Sequence, residues 1–76
     1  MYPDTSGGFE FVSDTAAHTG RFSMIYFKED TEISAITVQN ATGNSLAGET
    51  FVADTYLCGI ITSITLTSGA CLAYRL

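Results

Sequence analysis

Tyr56-Leu57-Cys58-Gly59-Ile60-Ile61-Thr62-Ser63-Ile64-Thr65-Leu66-Thr67 runs into Ser68-Gly69-Ala70 and then Cys71-Leu72-Ala73-Tyr74-Arg75-Leu76. This stretch decides the fold class. Cys58, Ile60, Ile64 and Leu66 share one face, interrupted by Thr62, while Gly59, Ser63, Thr65 and Thr67 lie mainly on the other. That period of two, in residues that suit a pleated surface, predicts a strand. Ser68-Gly69 is a turn signal, so the two runs are expected to form the arms of a hairpin. A three-residue loop with Gly69 in the left-handed position sets Leu66 opposite Leu72 and Ile64 opposite Tyr74. A two-residue loop sets Leu72 opposite Thr65 and scrambles the faces, so the three-residue loop is preferred.

The same texture extends back along the chain. Arg21 to Lys28 is the most apolar segment, with Phe22, Met24 and Tyr26 alternating against Ile25 and Phe27. A strand apolar on both faces is covered on both sides. Its second cover is either the other layer of a sandwich or another chain. Ile33 to Gln39 and Phe9 to Val12 read as further strands, and Thr50 to Ala53 as a short one. Ser13 to Gly20, Glu29 to Glu32, Asn40 to Gly48 and Asp54-Thr55 read as loops or turns. Ile33-Ser34-Ala35-Ile36-Thr37-Val38 matches Ile61-Thr62-Ser63-Ile64-Thr65-Leu66 in residue type at every position. The echo marks either two equivalent strands or the ordinary Ile/Thr mixture of β-structure. No segment has helical spacing. The expectation is an all-β chain: a small β-sandwich or barrel of about six short antiparallel strands with no significant helix. Residues 9–76 are expected to form a single β domain and residues 1–8 an extended arm.

A chain of 76 residues is one domain. At this size folding buries only about 60% of the surface of the unfolded chain, so an oligomer or a bound subunit is favoured over a free monomer. Charged residues are 14% of the chain and the net charge is −5. A surface so poor in charge suits burial against another protein. Arg21, Lys28 and Arg75 are scattered, which excludes the clustered cations that nucleic acid or an anionic membrane requires. No run approaches the ~20 apolar residues of a membrane span, and Met1-Tyr2-Pro3-Asp4 does not open a secretory signal.

The residues that carry chemistry are few. Cys58 and Cys71 fall too far apart on the expected hairpin for a disulfide and are read as free, buried, small hydrophobes. His18 is the only histidine. Ser13 and Asp14 lie near it, but a triad is defined by geometry and not by proximity along a loop, and His18 is read as a loop residue. Glu29, Asp30 and Glu32 lack the alternation and glycine of a calcium loop and are read as a solvated turn. Asn40-Ala41-Thr42 is formally a glycosylation acceptor and is read as loop chemistry. The chain is therefore expected not to be an enzyme and to use no metal and no cofactor.

Aromatic residues are the conspicuous excess. Phe9, Phe11, Phe22 and Phe27 are expected to serve the core. Tyr2, Tyr26, Tyr56 and Tyr74, with polar tips, suit a boundary or interface. Phe22 and Met24 join the interface candidates because they share a face of the two-sided strand with Tyr26.

From Phe22 to Tyr74, about two-thirds of the chain, the sequence resembles small β-structured virion proteins of tailed bacteriophages. The residues that carry the resemblance are Glu29-Asp30-Thr31 before a strand, and Asn40-Ala41-Thr42-Gly43 followed by Leu46-Ala47-Gly48. With them goes Gly59-Ile60-Ile61-Thr62-Ser63-Ile64-Thr65-Leu66-Thr67-Ser68-Gly69 leading to Ala73-Tyr74. Phe51-Val52-Ala53-Asp54 stands where such chains often carry Pro and Gly. The resemblance implies a capsid decoration (cement) subunit, made in the host cytoplasm and located in the virion. It further implies binding to the major capsid protein or another virion protein, and a homotrimer. A tail- or head-fibre component that binds a host receptor or glycan is the alternative; a small inhibitor-like module is a third reading.

Overall fold

The computed structural model describes residues 7–76. Tyr2 and most of the expected N-terminal arm lie outside the described residues. Six strands follow one another: β1 (Phe9–Val12), β2 (His18–Phe27), β3 (Thr31–Val38), β4 (Thr50–Phe51), β5 (Thr55–Ser68) and β6 (Cys71–Arg75). All pair antiparallel in one sheet of order β1-β6-β2-β5-β3-β4, which bears out the all-β expectation.

Among the described residues the sheet has no second layer, so it buries one face by rolling up. The 14 residues of β5 would span about 46 Å if straight. The whole molecule extends only 27 × 25 × 22 Å. β5 therefore coils around the core, pairing with β2 from Thr55 to Ile64 and with β3 from Ile61 to Ser68. The bending is built from bulges. Between Phe22 and Met24 of β2, the partner strand β5 advances from Ile61 to Cys58, three residues against two. An extra residue on one strand accentuates local twist and bend. Phe22, Ile25, Phe27, Ile33, Ile61 and Ile64 fill the interior, with Val12, Leu66, Cys71 and Ala73 around them. Each large side chain so buried stabilises the fold by about 1.5–3 kcal/mol. Phe51 lies flat on Phe27, ring centroids 4.6 Å apart, and so fastens the two-residue edge strand β4 to the core.

The expected β5–β6 hairpin does not form. β2 lies between these two strands and takes the ladder bonds of both. Each is antiparallel to β2, so they run parallel to each other. Ser68 pairs with Glu32 and Cys71 with Phe27, so Ser68-Gly69-Ala70 crosses from the start of β3 to the end of β2. Gly69 does take the left-handed conformation, at φ 92°. A Cβ there would stand 2.5 Å from Thr31 Oγ1 and 2.6 Å from the Asp30 carbonyl oxygen. The crossing is pinned by the buried Thr31 hydroxyl, 2.8 Å from the Glu29 carbonyl oxygen and 3.1 Å from that of Ala70.

The internal echo has a structural meaning. Its two copies pair with each other: Ile33 with Leu66, Ile36 with Ile64 and Val38 with Ile61. Matched types therefore meet head to tail across the β3–β5 ladder.

Candidate functional site: the outer face of the sheet

Ladder partners share a face, so the registers of β1, β6, β2 and β5 fix what the outer surface carries. One row across the four strands reads Phe9, Tyr74, Met24, Cys58. The next reads Phe11, Leu72, Tyr26, Tyr56. At about 4.8 Å per strand the rows are about 14 Å wide. The alternate rows, Glu10-Ala73-Ile25-Leu57 and Val12-Cys71-Phe27-Thr55, point inward. Five of the eight outer residues are aromatic, and none is charged.

The rings interlock. Phe9 meets Tyr74 edge-on at 5.6 Å between centroids, and Tyr26 lies against Tyr56 at 5.1 Å. Lys28 Nζ sits 5.9 Å from the centre of the Phe11 ring. The Tyr26 hydroxyl donates to Asp54 Oδ1 at 2.5 Å. That bond to a carboxylate raises the Tyr26 phenol above its ordinary value, with a smaller contribution from burial. Phe9, Phe11 and Tyr56 nevertheless remain 49%, 51% and 46% exposed. Glu29, Asp30 and Asp54 stand beyond the ends of β2 and before β5, so this rim is acidic, with Lys28 its one cation among the described residues.

Of the interface candidates read from sequence, Met24, Tyr26, Tyr56 and Tyr74 come together on this face. Met24 is nearly covered by its neighbours, whereas Tyr56 is open. Phe22 does not join them. Against β6, two steps on β2 from Phe22 to Met24 match one step from Arg75 to Tyr74. Ser23 is the extra residue, and the bulge turns Phe22 inward, where it is 1% exposed. Phe9 and Phe11 correct the sequence reading in the opposite sense. Expected in the core, they lie outside, and β1 buries Val12 in their place. The signal was the alternation Phe-Glu-Phe-Val, which fixes two faces without saying which is inner.

The cysteines are both free. Cys58 is opposite Met24 on one side of β2 and Cys71 opposite Phe27 on the other. Two strand spacings and three residues separate them, about 14 Å, twice the reach of a disulfide. Cys71 is buried, and burial pushes its thiol up to about 11. Cys58 is exposed on the outer face, which corrects the expectation that both were buried.

His18 opens β2 and is not a loop residue. Its Nδ1 contacts Glu10 Oε2 and its Nε2 lies 2.8 Å from Asp14 Oδ1. With a carboxylate at each nitrogen, neither is free to take a proton from a nucleophile. The hydrogen bond to Asp14, then that to Glu10, raises the His18 pKa; the same bond lowers that of Asp14. The acidic turn is structural where it touches the fold: Asp30 Oδ1 accepts from the Ala53 amide at 3.0 Å. Asn40 Oδ1 accepts from the Ile60 amide at 2.9 Å. Away from this face, a hollow of about 120 Å³ is lined by Ile36, Val38, Leu46, Thr42, Asn44 and Ser45. It holds no charged or titratable side chain.

No family model, curated protein or solved structure matches this chain.

Proposed function

We propose that the chain is a structural subunit that docks onto a larger protein assembly through the outer face of β1, β6, β2 and β5. The observation that supports this reading is the pair of uncharged rows, Phe9-Tyr74-Met24-Cys58 and Phe11-Leu72-Tyr26-Tyr56, left partly open in a chain too small to spare them. Exposed, contiguous aromatic surface with charge confined to its rim is the composition of an interface core. The acidic rim selects a partner surface with an apolar centre and cations around it. The resemblance to phage virion proteins makes that partner the capsid shell, and the chain a decoration subunit. It also implies a homotrimer. Many copies on a repeating shell turn weak single contacts into high avidity.

The test is incorporation. Particles assembled from the genome that encodes the chain, purified on a density gradient, are expected to contain the wild-type chain by mass spectrometry. A folded Phe11→Ser/Tyr56→Ser variant is expected to be absent from them. Equal incorporation of the two defeats the outer face as the docking surface. A wild-type chain missing from particles defeats the virion role.

A further inference from the structure

We propose that Glu10, Asp14, His18 and Arg75 form a proton-dependent clasp that holds edge strand β1 in place, and that loss of the His18 proton loosens β1 and the two rings it contributes to the outer face. The consequence for docking rests on the function proposed above; the clasp itself does not.

β1 is four residues long, and among the described residues its ladder bonds go only to β6. Its outer side chains, Phe9 and Phe11, anchor nothing in the core, and of its inner ones only Val12 is buried there. Glu10 is the remaining inner residue, and it reaches two cations. One is Arg75 of β6, whose Nη2 lies 3.6 Å from Glu10 Oε1 and whose Nη1 donates to the Phe9 carbonyl at 2.9 Å. The other is His18, at the far end of β2, beyond the last pairing of β2 with β6. His18 thus ties β1 to a strand with which it shares no ladder.

Among the described residues the charged groups around His18 are few. β1 presents Glu10, the β1–β2 connection presents Asp14, and β6 presents Arg75 through Glu10. β5 presents Ile64, the ladder partner of His18. Arg21 follows three residues along β2 itself, where its carbonyl accepts from the Leu76 amide. Arg75 stays charged at every relevant pH, so one half of the clasp is permanent. The other half is not. Protonated His18 donates from both nitrogens, one to each carboxylate. Neutral imidazole has one N–H, so the second nitrogen turns a lone pair toward carboxylate oxygen, and that contact must open.

The direction of the pH effect follows. The two carboxylates hold His18 protonated above its ordinary value of about 6.5. A raised pKa in the folded chain stabilises below the unfolded value and fades as pH rises through the folded one. Asp14 is shifted down, so its share fades only in acid, below the ordinary carboxylate range. The clasp is therefore closed at pH 6 and opens on the alkaline side.

Amide hydrogen exchange by NMR on the free full-length chain tests this. Between pH 6 and 8.5 the protection factors of β1 are expected to fall about three- to tenfold relative to those of β2, the range of two partly exposed ion pairs. His18→Gln is expected to show the lower protection at both pH values. Glu10→Gln, which keeps the side chain but removes the charge facing both cations, is expected to do the same. A wild-type β1 whose protection relative to β2 is unchanged across this range overturns the proposal. So does a His18→Gln chain as protected as wild type at pH 6. If β1 loosens as expected but Phe11→Ser/Tyr56→Ser still enters particles, the clasp stands and the docking reading falls.

Discussion

Strand β2 has two apolar sides, and they have opposite fates. Ile25 and Phe27 point inward and are fully buried. Met24 and Tyr26 point outward into a sheet of rings whose outermost members, Phe9, Phe11 and Tyr56, are about half exposed. Hydrophobicity alone does not separate the sides. Chemistry does: among the ten core residues there is no tyrosine, whereas the outer rows hold three, each with a polar tip that suits a surface reached by water. The inner side is closed by rolling the sheet. The outer side is a surface that tolerates water and gains by being covered.

The comparison can be broken by truncation on each side. Phe27→Ala is expected to cost about 3–5 kcal/mol, a large share of the ~5–15 kcal/mol a domain possesses. Phe11→Ala is expected to cost under about 1 kcal/mol, because water already reaches the ring. Urea unfolding of both variants checks this, and similar losses would erase the distinction between the faces. Gly69→Ala tests the crossing that closes the inner side. Its Cβ would meet the Asp30–Thr31 backbone at positive φ, and a loss of about 2 kcal/mol or more is expected in the same assay. Tyr26→Phe removes one solvent-exposed rim hydrogen bond and is expected to cost less than Gly69→Ala in the same assay. In a spectrophotometric titration the wild type should show a phenol ionising above the ordinary value of about 10, absent in Tyr26→Phe and lowered in Asp54→Asn.

How much of this was legible in the sequence follows from which patterns are local. Alternation in Phe9–Val12 and the β-branched run after Tyr56 announced strands, and Gly69 announced a turn. Strand partners are another matter. Leu66 facing Leu72 satisfies the same alternation as Leu66 facing Ile33, and nothing local says that β2 will insert between β5 and β6. The bulge at Ser23 is equally silent: it removes Phe22 from the outer face, although Phe22, Met24 and Tyr26 keep perfect period two. Phe9 and Phe11 were misplaced because aromatic residues satisfy core and interface alike. His18 was read as a loop residue because Thr19 and Gly20 carry no strand signal, and its carboxylate partners come together only when the sheet rolls.

The two cysteines offer the most direct test, since the structure puts one on each side of β2. In the free chain Cys58 is expected to react with a thiol-selective alkylating agent at neutral pH, while buried Cys71, its thiol pushed up to about 11, stays silent until the chain unfolds. If the chain docks as proposed, Cys58 should fall silent in the assembled particle as well, because docking would cover the row it shares with Met24, Tyr74 and Phe9. A Cys58 that reacts equally fast in the free chain and in the particle would contradict docking through this face.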